Sequence, residues 1–174
     1  MHSEFHPFAF YGIQVSFFPD EAELRKTFLE LSRKHHPDFF PYDTPEHEEA
    51  LHYADLNNKA YQVLSSFDSR LKFILEHHGL LMEGEKNILP QDFLLEMLDL
   101  NDLIDEAHAG DPSARTQAEE LLKTSLDGIR EQMEQHARSW DETHEHQQLA
   151  TLHVLYQQYR YLLRLEHNFV QGVE

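Results

Sequence analysis

The chain has 174 residues, 40% of them apolar, with 14 Lys and Arg against 32 Asp and Glu, a formal net charge of -18. That charge repels phosphate backbones and anionic lipid surfaces, so neither nucleic acid nor a membrane is an expected partner. The absence of cysteine excludes disulfides, thiol catalysis and thiolate ligation of zinc or an iron–sulfur cluster.

With only 6 Gly and 7 Pro and no β-branched runs, the composition leans towards an all-α fold. Asp20 is a good N-cap, and Glu21 and Glu23 suit the positive end of a helix dipole. Leu24, Phe28 and Leu31 then share one face of a helix that should reach about His35, before Pro37. Its last turn is basic: Arg33, Lys34, His35. After a two-proline loop, Thr44 caps a second helix with Pro45 at its first position. Ala50, Ala54, Asn57, Tyr61 and Leu64 trace its buried face, and it should end near Ser65-Ser66. The two helices form an antiparallel pair. A shorter segment from Asp68 stops at Gly79, a plausible glycine cap.

Residues 80–90 have little apolar periodicity and form the best candidate linker between units 1–79 and 91–174. Three helices are predicted beyond it. The first starts after Pro90 and stops at Gly110, the second opens on the cap-and-proline pair Asp111-Pro112, and the third covers His146 to about Phe169. Short connections point to an up-down three-helix bundle. On the third helix, a count of about 100° per residue places Leu152, Leu155, Tyr156, Tyr159 and Leu163 on the core side and Tyr161 away from it.

Arg33-Lys34-His35-His36-Pro37-Asp38-Phe39-Phe40 lies between the paired helices of the first unit. Together with Phe8-Ala9-Phe10-Tyr11-Gly12-Ile13 upstream and Asn57-Lys59-Ala60-Tyr61-Val63-Leu64 and Asp68-Arg70-Leu71 downstream, it resembles the signature loop of J-domains, which stimulate ATP hydrolysis by DnaK-type chaperones. The resemblance implies an N-terminal J-domain, an antiparallel helical hairpin plus short helices, in which His36, Pro37 and Asp38 are all needed. The physical logic is consistent with that role. Proline fixes one backbone dihedral, so the loop docks without a large ordering cost. Asp38 offers acceptors for an arginine of the partner. Arg25, Lys26, Arg33 and Lys34 would steer the helix towards an acidic surface. Many J-domains carry a basic residue directly after the tripeptide; here it is Phe39.

On the first bundle helix, Phe93, Met97, Leu100 and Ile104 form a core stripe, yet Leu94, Leu95 and Leu98 line the opposite side, bordered by Asp99, Asp102 and Glu106. Such a helix is covered twice within its own chain or once by a partner. J-domain first, acidic linker next and helical bundle last resembles the layout of HscB-type co-chaperones of iron–sulfur cluster assembly. That resemblance implies two partners, a DnaK/HscA-type ATPase and an IscU-like scaffold, the latter gripped by Leu94, Leu95, Leu98, Asp99, Asp102, Glu106 and Tyr161. A general J-domain co-chaperone or a helical adaptor serving another client is the alternative.

No enzyme is expected, because there is no glycine-rich phosphate loop and no serine nucleophile elbow. Neither a metal nor a cofactor is expected: adjacent histidines such as His35-His36 and His77-His78 diverge by about 100° on a helix. No apolar run is long enough to span a bilayer and the opening residues lack the layout of a secretion signal, so the expected location is cytoplasmic.

Overall fold

The computed structural model describes residues 5–81 and 89–171; most of the expected linker, 82–88, lies outside them. The chain divides into two compact units, Met1–Gly79 and Leu80–Glu174, and the described residues are all-α, with no strand.

The first unit begins with α1 (Pro7–Tyr11), a short helix that hydrophobic periodicity over so few residues cannot announce. Three local signals build it: His6 accepts from the Ala9 N–H, Pro7 occupies the first position, and Gly12 leaves it at φ +67°, where a side chain would be strained. Next comes α2 (Glu21–Lys34), started by Asp20, whose carboxylate accepts from the N–H groups of Ala22 and Glu23 at 2.9 and 3.1 Å. Helix α3 (Pro45–Leu64) is capped by Thr44 as the sequence indicates, and α4 (Phe67–His77) by Ser66. Helix α3 is the centre of the unit, touching α1, α2 and α4.

A polar residue sits in the middle of that core. Asn57 is 2% exposed, yet all three of its amide contacts are made. Its Nδ2 donates to the Phe28 carbonyl and to Ser32 Oγ, both at 3.0 Å, and its Oδ1 accepts from the Tyr11 hydroxyl at 2.9 Å. Ser32 Oγ in turn donates to Phe28 O at 2.7 Å. One side chain thereby ties α1, α2 and α3 together. A second buried polar group, Arg70, closes the other end: its guanidinium donates to the Phe17 carbonyl and to the last carbonyl of α3, Leu64 O.

The second unit contains α5 (Gln91–His108), α6 (Pro112–Thr143) and α7 (His146–Gln171). Helix α6 packs against both others, while α5 and α7 touch more sparingly. The α6–α7 seam is antiparallel, marked by Arg115 over the Phe169 ring at 5.6 Å, Arg130 donating to the Tyr159 hydroxyl at 3.1 Å, and His136 bonded to Gln148 at 2.7 Å. The α7 core differs from the stripe read off the sequence. Leu162 is buried and Leu163 is 39% exposed, with Tyr156 and Tyr159 half-buried. Leu155, Leu162 and Phe169 recur every seven residues on the buried side, so past Leu155 the core continues through Leu162 in place of Leu163.

Replacing Asn57 by Ala removes three hydrogen bonds at once and takes the side-chain acceptor from the buried Tyr11 hydroxyl, while Ser32 keeps its bond to the Phe28 carbonyl, and the expected cost is about 2–3 kcal/mol of unfolding free energy; a chemical denaturation midpoint equal to that of the parent would show the network to be dispensable. Burial, and secondarily Tyr61, pushes the Tyr11 phenol above its ordinary value. An unfolded tyrosine therefore ionises first, and stability held below about pH 10 is lost as the pH rises above it. Tyr11→Phe is expected to flatten that alkaline decline, measured as denaturation midpoint against pH.

Candidate functional site

Between α2 and α3 the chain turns sharply. Helix α2 stops at His35, whose ring stacks on Tyr53 of α3 at 4.5 Å, and Pro37–Phe39 form one 3-10 turn. The turn is pinned by its own backbone: Phe39 N–H donates to His36 O at 3.1 Å and Phe40 N–H to Pro37 O at 3.0 Å. From α3, His47 Nδ1 meets the Pro37 carbonyl at 3.3 Å. His47 was not among the candidates from sequence; its partner lies ten residues away across a loop, a pairing that no local spacing rule signals.

His36 caps the turn, its Nδ1 accepting from the Asp38 N–H at 3.3 Å, and the same nitrogen lies 3.7 Å from an Asp38 carboxylate oxygen. These contacts belong to different protonation states. A neutral ring uses its Nδ1 lone pair for the N–H and carries its proton on Nε2; an imidazolium instead pairs with the carboxylate. Both side chains face solvent, at 52% and 77% exposure. The turn thus presents an imidazole and a carboxylate on a backbone that is already fixed.

The four basic residues all lie on α2 and are all exposed, but they do not form one tight cluster. At about 100° per residue, Lys26 and Arg33 fall together opposite the core stripe, with Arg25 and Lys34 on the two flanks of that face. Lys26 is paired with Glu23 at 3.2 Å. Arg33 and Lys34, in the last turn, stand next to the His36-Pro37-Asp38 bend.

On α5, Phe93, Met97, Leu100 and Ile104 are buried. Leu94, Leu95 and Leu98 are 42%, 55% and 60% exposed, and Asp99, Asp102 and Glu106 are exposed beside them. These six residues occupy a continuous arc of about 140° centred opposite the buried stripe. Tyr161 is placed differently. It is half-buried on α7, its ring edge-on to Phe93 at 5.7 Å and overlain by the Arg164 guanidinium at 5.8 Å. It supports the residue next to Leu94 instead of standing free. Among the described residues no three His, Asp or Glu side chains converge as a metal site would require.

Comparison with known proteins adds independent observations. Residues 89–169 match the family model of the HSCB C-terminal oligomerisation domain. The co-chaperone protein HscB homologue of Vibrio atlanticus is 31% identical over 138 residues, spanning 75% of this chain and 81% of that protein. The homologue of Vibrio campbellii is 29% identical over 136 residues, spanning 74% and 80%. In fold, the chain is similar to human co-chaperone protein HscB, with a TM-score of 0.69 at 22% identity over 98% of this chain and 83% of that one. It is similar also to chaperone HscB from Vibrio cholerae, with a TM-score of 0.72 at 19% identity over 95% and 96%. A J-domain followed by a C-terminal helical domain is therefore the architecture of this molecule, and the chain belongs to the HscB family of co-chaperones.

Proposed function

We propose that the chain stimulates the ATPase of a DnaK/HscA-type chaperone through its His36-Pro37-Asp38 turn. In the same reading it holds an IscU-like iron–sulfur scaffold on the outer face of α5, delivering it for cluster transfer to recipient proteins. Residues 1–79 are the chaperone-binding part, 91–174 the scaffold-binding part and 80–90 the connection, acting in the cytoplasm. The cluster is cargo; the chain supplies no cofactor and no catalytic group of its own.

The observation that carries the reading is the turn itself. An exposed histidine and aspartate sit on a 3-10 turn bounded by Pro37 and fixed by hydrogen bonds from two elements. A surface prepared in this way loses little entropy on docking, so its binding energy remains available to bias the partner between conformations. Asp38 accepts from an arginine of the ATPase, and Arg33 and Lys34 add attraction to an acidic rim. For the scaffold, Leu94, Leu95 and Leu98 supply an apolar centre while Asp99, Asp102 and Glu106 form a charged rim, the layout of a protein interface.

Substituting His36→Gln is expected to return the chaperone's ATP turnover to its basal rate while leaving the far-ultraviolet circular dichroism unchanged; retention of full stimulation would remove the turn from the mechanism. Because alanine is at least as good a helix former as leucine, a Leu95→Ala, Leu98→Ala double variant should fold normally. Its affinity for an IscU-like scaffold, measured by calorimetry, is expected to fall by roughly 2 kcal/mol, about thirtyfold in Kd. If the unmodified chain binds no scaffold at all, the client is a different protein and the chaperone reading stands alone.

A further inference from the structure

We propose that Phe39 and Tyr42 are apolar anchors that seat this chain on its ATPase partner, filling an apolar recess beside the contact made by His36 and Asp38. This inference rests on the reading of the turn given above. Of the described large apolar side chains these two are the most exposed, Phe39 at 71% and Tyr42 at 80%. Single exposed apolar residues are ordinary on protein surfaces. Two aromatic rings, three residues apart in one loop, are harder to dismiss.

Their attachment to the turn is specific. The Phe39 ring lies 5.7 Å from the His36 ring. The Tyr42 ring lies 4.8 Å from that of His47, and His47 reaches the Pro37 carbonyl at 3.3 Å. Each aromatic thus leans on an imidazole that holds or forms part of the turn. The backbone carrying them is restrained as well: Phe39 N–H is bonded to His36 O, Pro41 lies between the two rings, and the Thr44 hydroxyl donates to Pro41 O at 2.8 Å. Aromatic side chains have few rotatable bonds, so on such a backbone they contribute large contact area at small entropic cost.

Three features select the occupant. The rings are continuous with the surface offered to the ATPase, so any protein that engages His36 and Asp38 passes next to them. Neither carries charge, and the preceding helix already ends in Arg33 and Lys34; basic contacts with an acidic rim are thereby separated from apolar contacts with a recess. A bilayer is disfavoured by the net charge of -18. Together these features make the loop selective for an ATPase with an apolar recess at this place.

The test is a titration of a DnaK-type ATPase with the full-length chain and its variants, reading steady-state ATP turnover. Phe39→Ala and Tyr42→Ala should each raise the concentration giving half-maximal stimulation by roughly five- to thirtyfold, with the maximal rate unchanged, whereas His36→Gln removes the maximum itself. The loss in Phe39→Ala should be the same at low and high salt, as expected of an apolar contact, and Phe39→Leu should restore most of it. Tyr42→Phe should behave as the parent chain, because the ring and its contact with His47 are kept. Half-maximal concentrations equal to the parent's in both alanine variants overturn the proposal while leaving the role of His36 intact. A parent chain that never lifts the basal rate overturns the reading of the turn and the anchors with it. Concentration-dependent sedimentation that is abolished in Phe39→Ala would assign the rings to a second copy of the chain, again against the proposal.

Discussion

Everything the first unit offers to a partner depends on the buried amide of Asn57. A two-helix hairpin packed only through alanines and aromatic rings has several nearly equivalent registers, because hydrophobic contact is not directional. Asn57 removes that freedom. Its donors fit only the Phe28 carbonyl and Ser32 on α2, and its acceptor fits only Tyr11 on α1. A slip of α2 by one residue would leave these groups unpaired in a dry interior, at a cost of about 1–3 kcal/mol for each. The register of α2 on α3 in turn sets where α2 ends, and so where the His36-Pro37-Asp38 turn stands relative to His47. A polar residue in the core is thereby linked to a surface geometry at the far end of the hairpin.

The two candidate surfaces differ in their physics, as the two tasks proposed for them would require. The turn is small and fixed in advance; in the proposed reading its value lies in aiming a carboxylate and an imidazole, and its encounter with a partner is tuned by the cations of α2. The face of α5 is a regular helix whose outer leucines would gain by removal from water, and in the proposed reading its acidic border excludes mismatched partners more than it adds affinity. In this reading one chain carries both surfaces, so once both partners are bound each is held near the other, at an effective concentration in the range of millimolar for a short connection.

Much of this organisation is legible in the residues, and the parts that are not have identifiable causes. Helices with strong local punctuation are found with their caps: Asp20, Thr44-Pro45 and Asp111-Pro112 each begin a helix as their chemistry dictates. The core of α5 follows from simple periodicity because that helix is short and packs chiefly on one neighbour. On α7 leucines stand at both 162 and 163, so composition does not distinguish them, and packing in the bundle buries Leu162 and leaves Leu163 39% exposed. Helix α1 spans five residues, less than two turns, and its evidence is a proline and a glycine that would serve equally well in a loop. Tertiary partners were beyond reach in principle: nothing adjacent to His47 or Tyr161 in the sequence names Pro37 or Phe93 as the group it meets.

Tyr161 shows how a surface reading changes once packing is known. As an isolated residue on an outward arc of α7 it would contribute to binding by its own contact area. Set edge-on against Phe93 and covered by Arg164, it acts first on the seating of α5, because Phe93 is part of the buried stripe that fixes the rotation of that helix. A rotation of α5 by one residue, about 100°, would carry Leu94 and Leu98 off the exposed arc. The aromatic pair therefore adds to the packing of Phe93, Met97, Leu100 and Ile104, which together set the leucines that face outward, so the apolar face owes its position to contacts made on the other side of the helix.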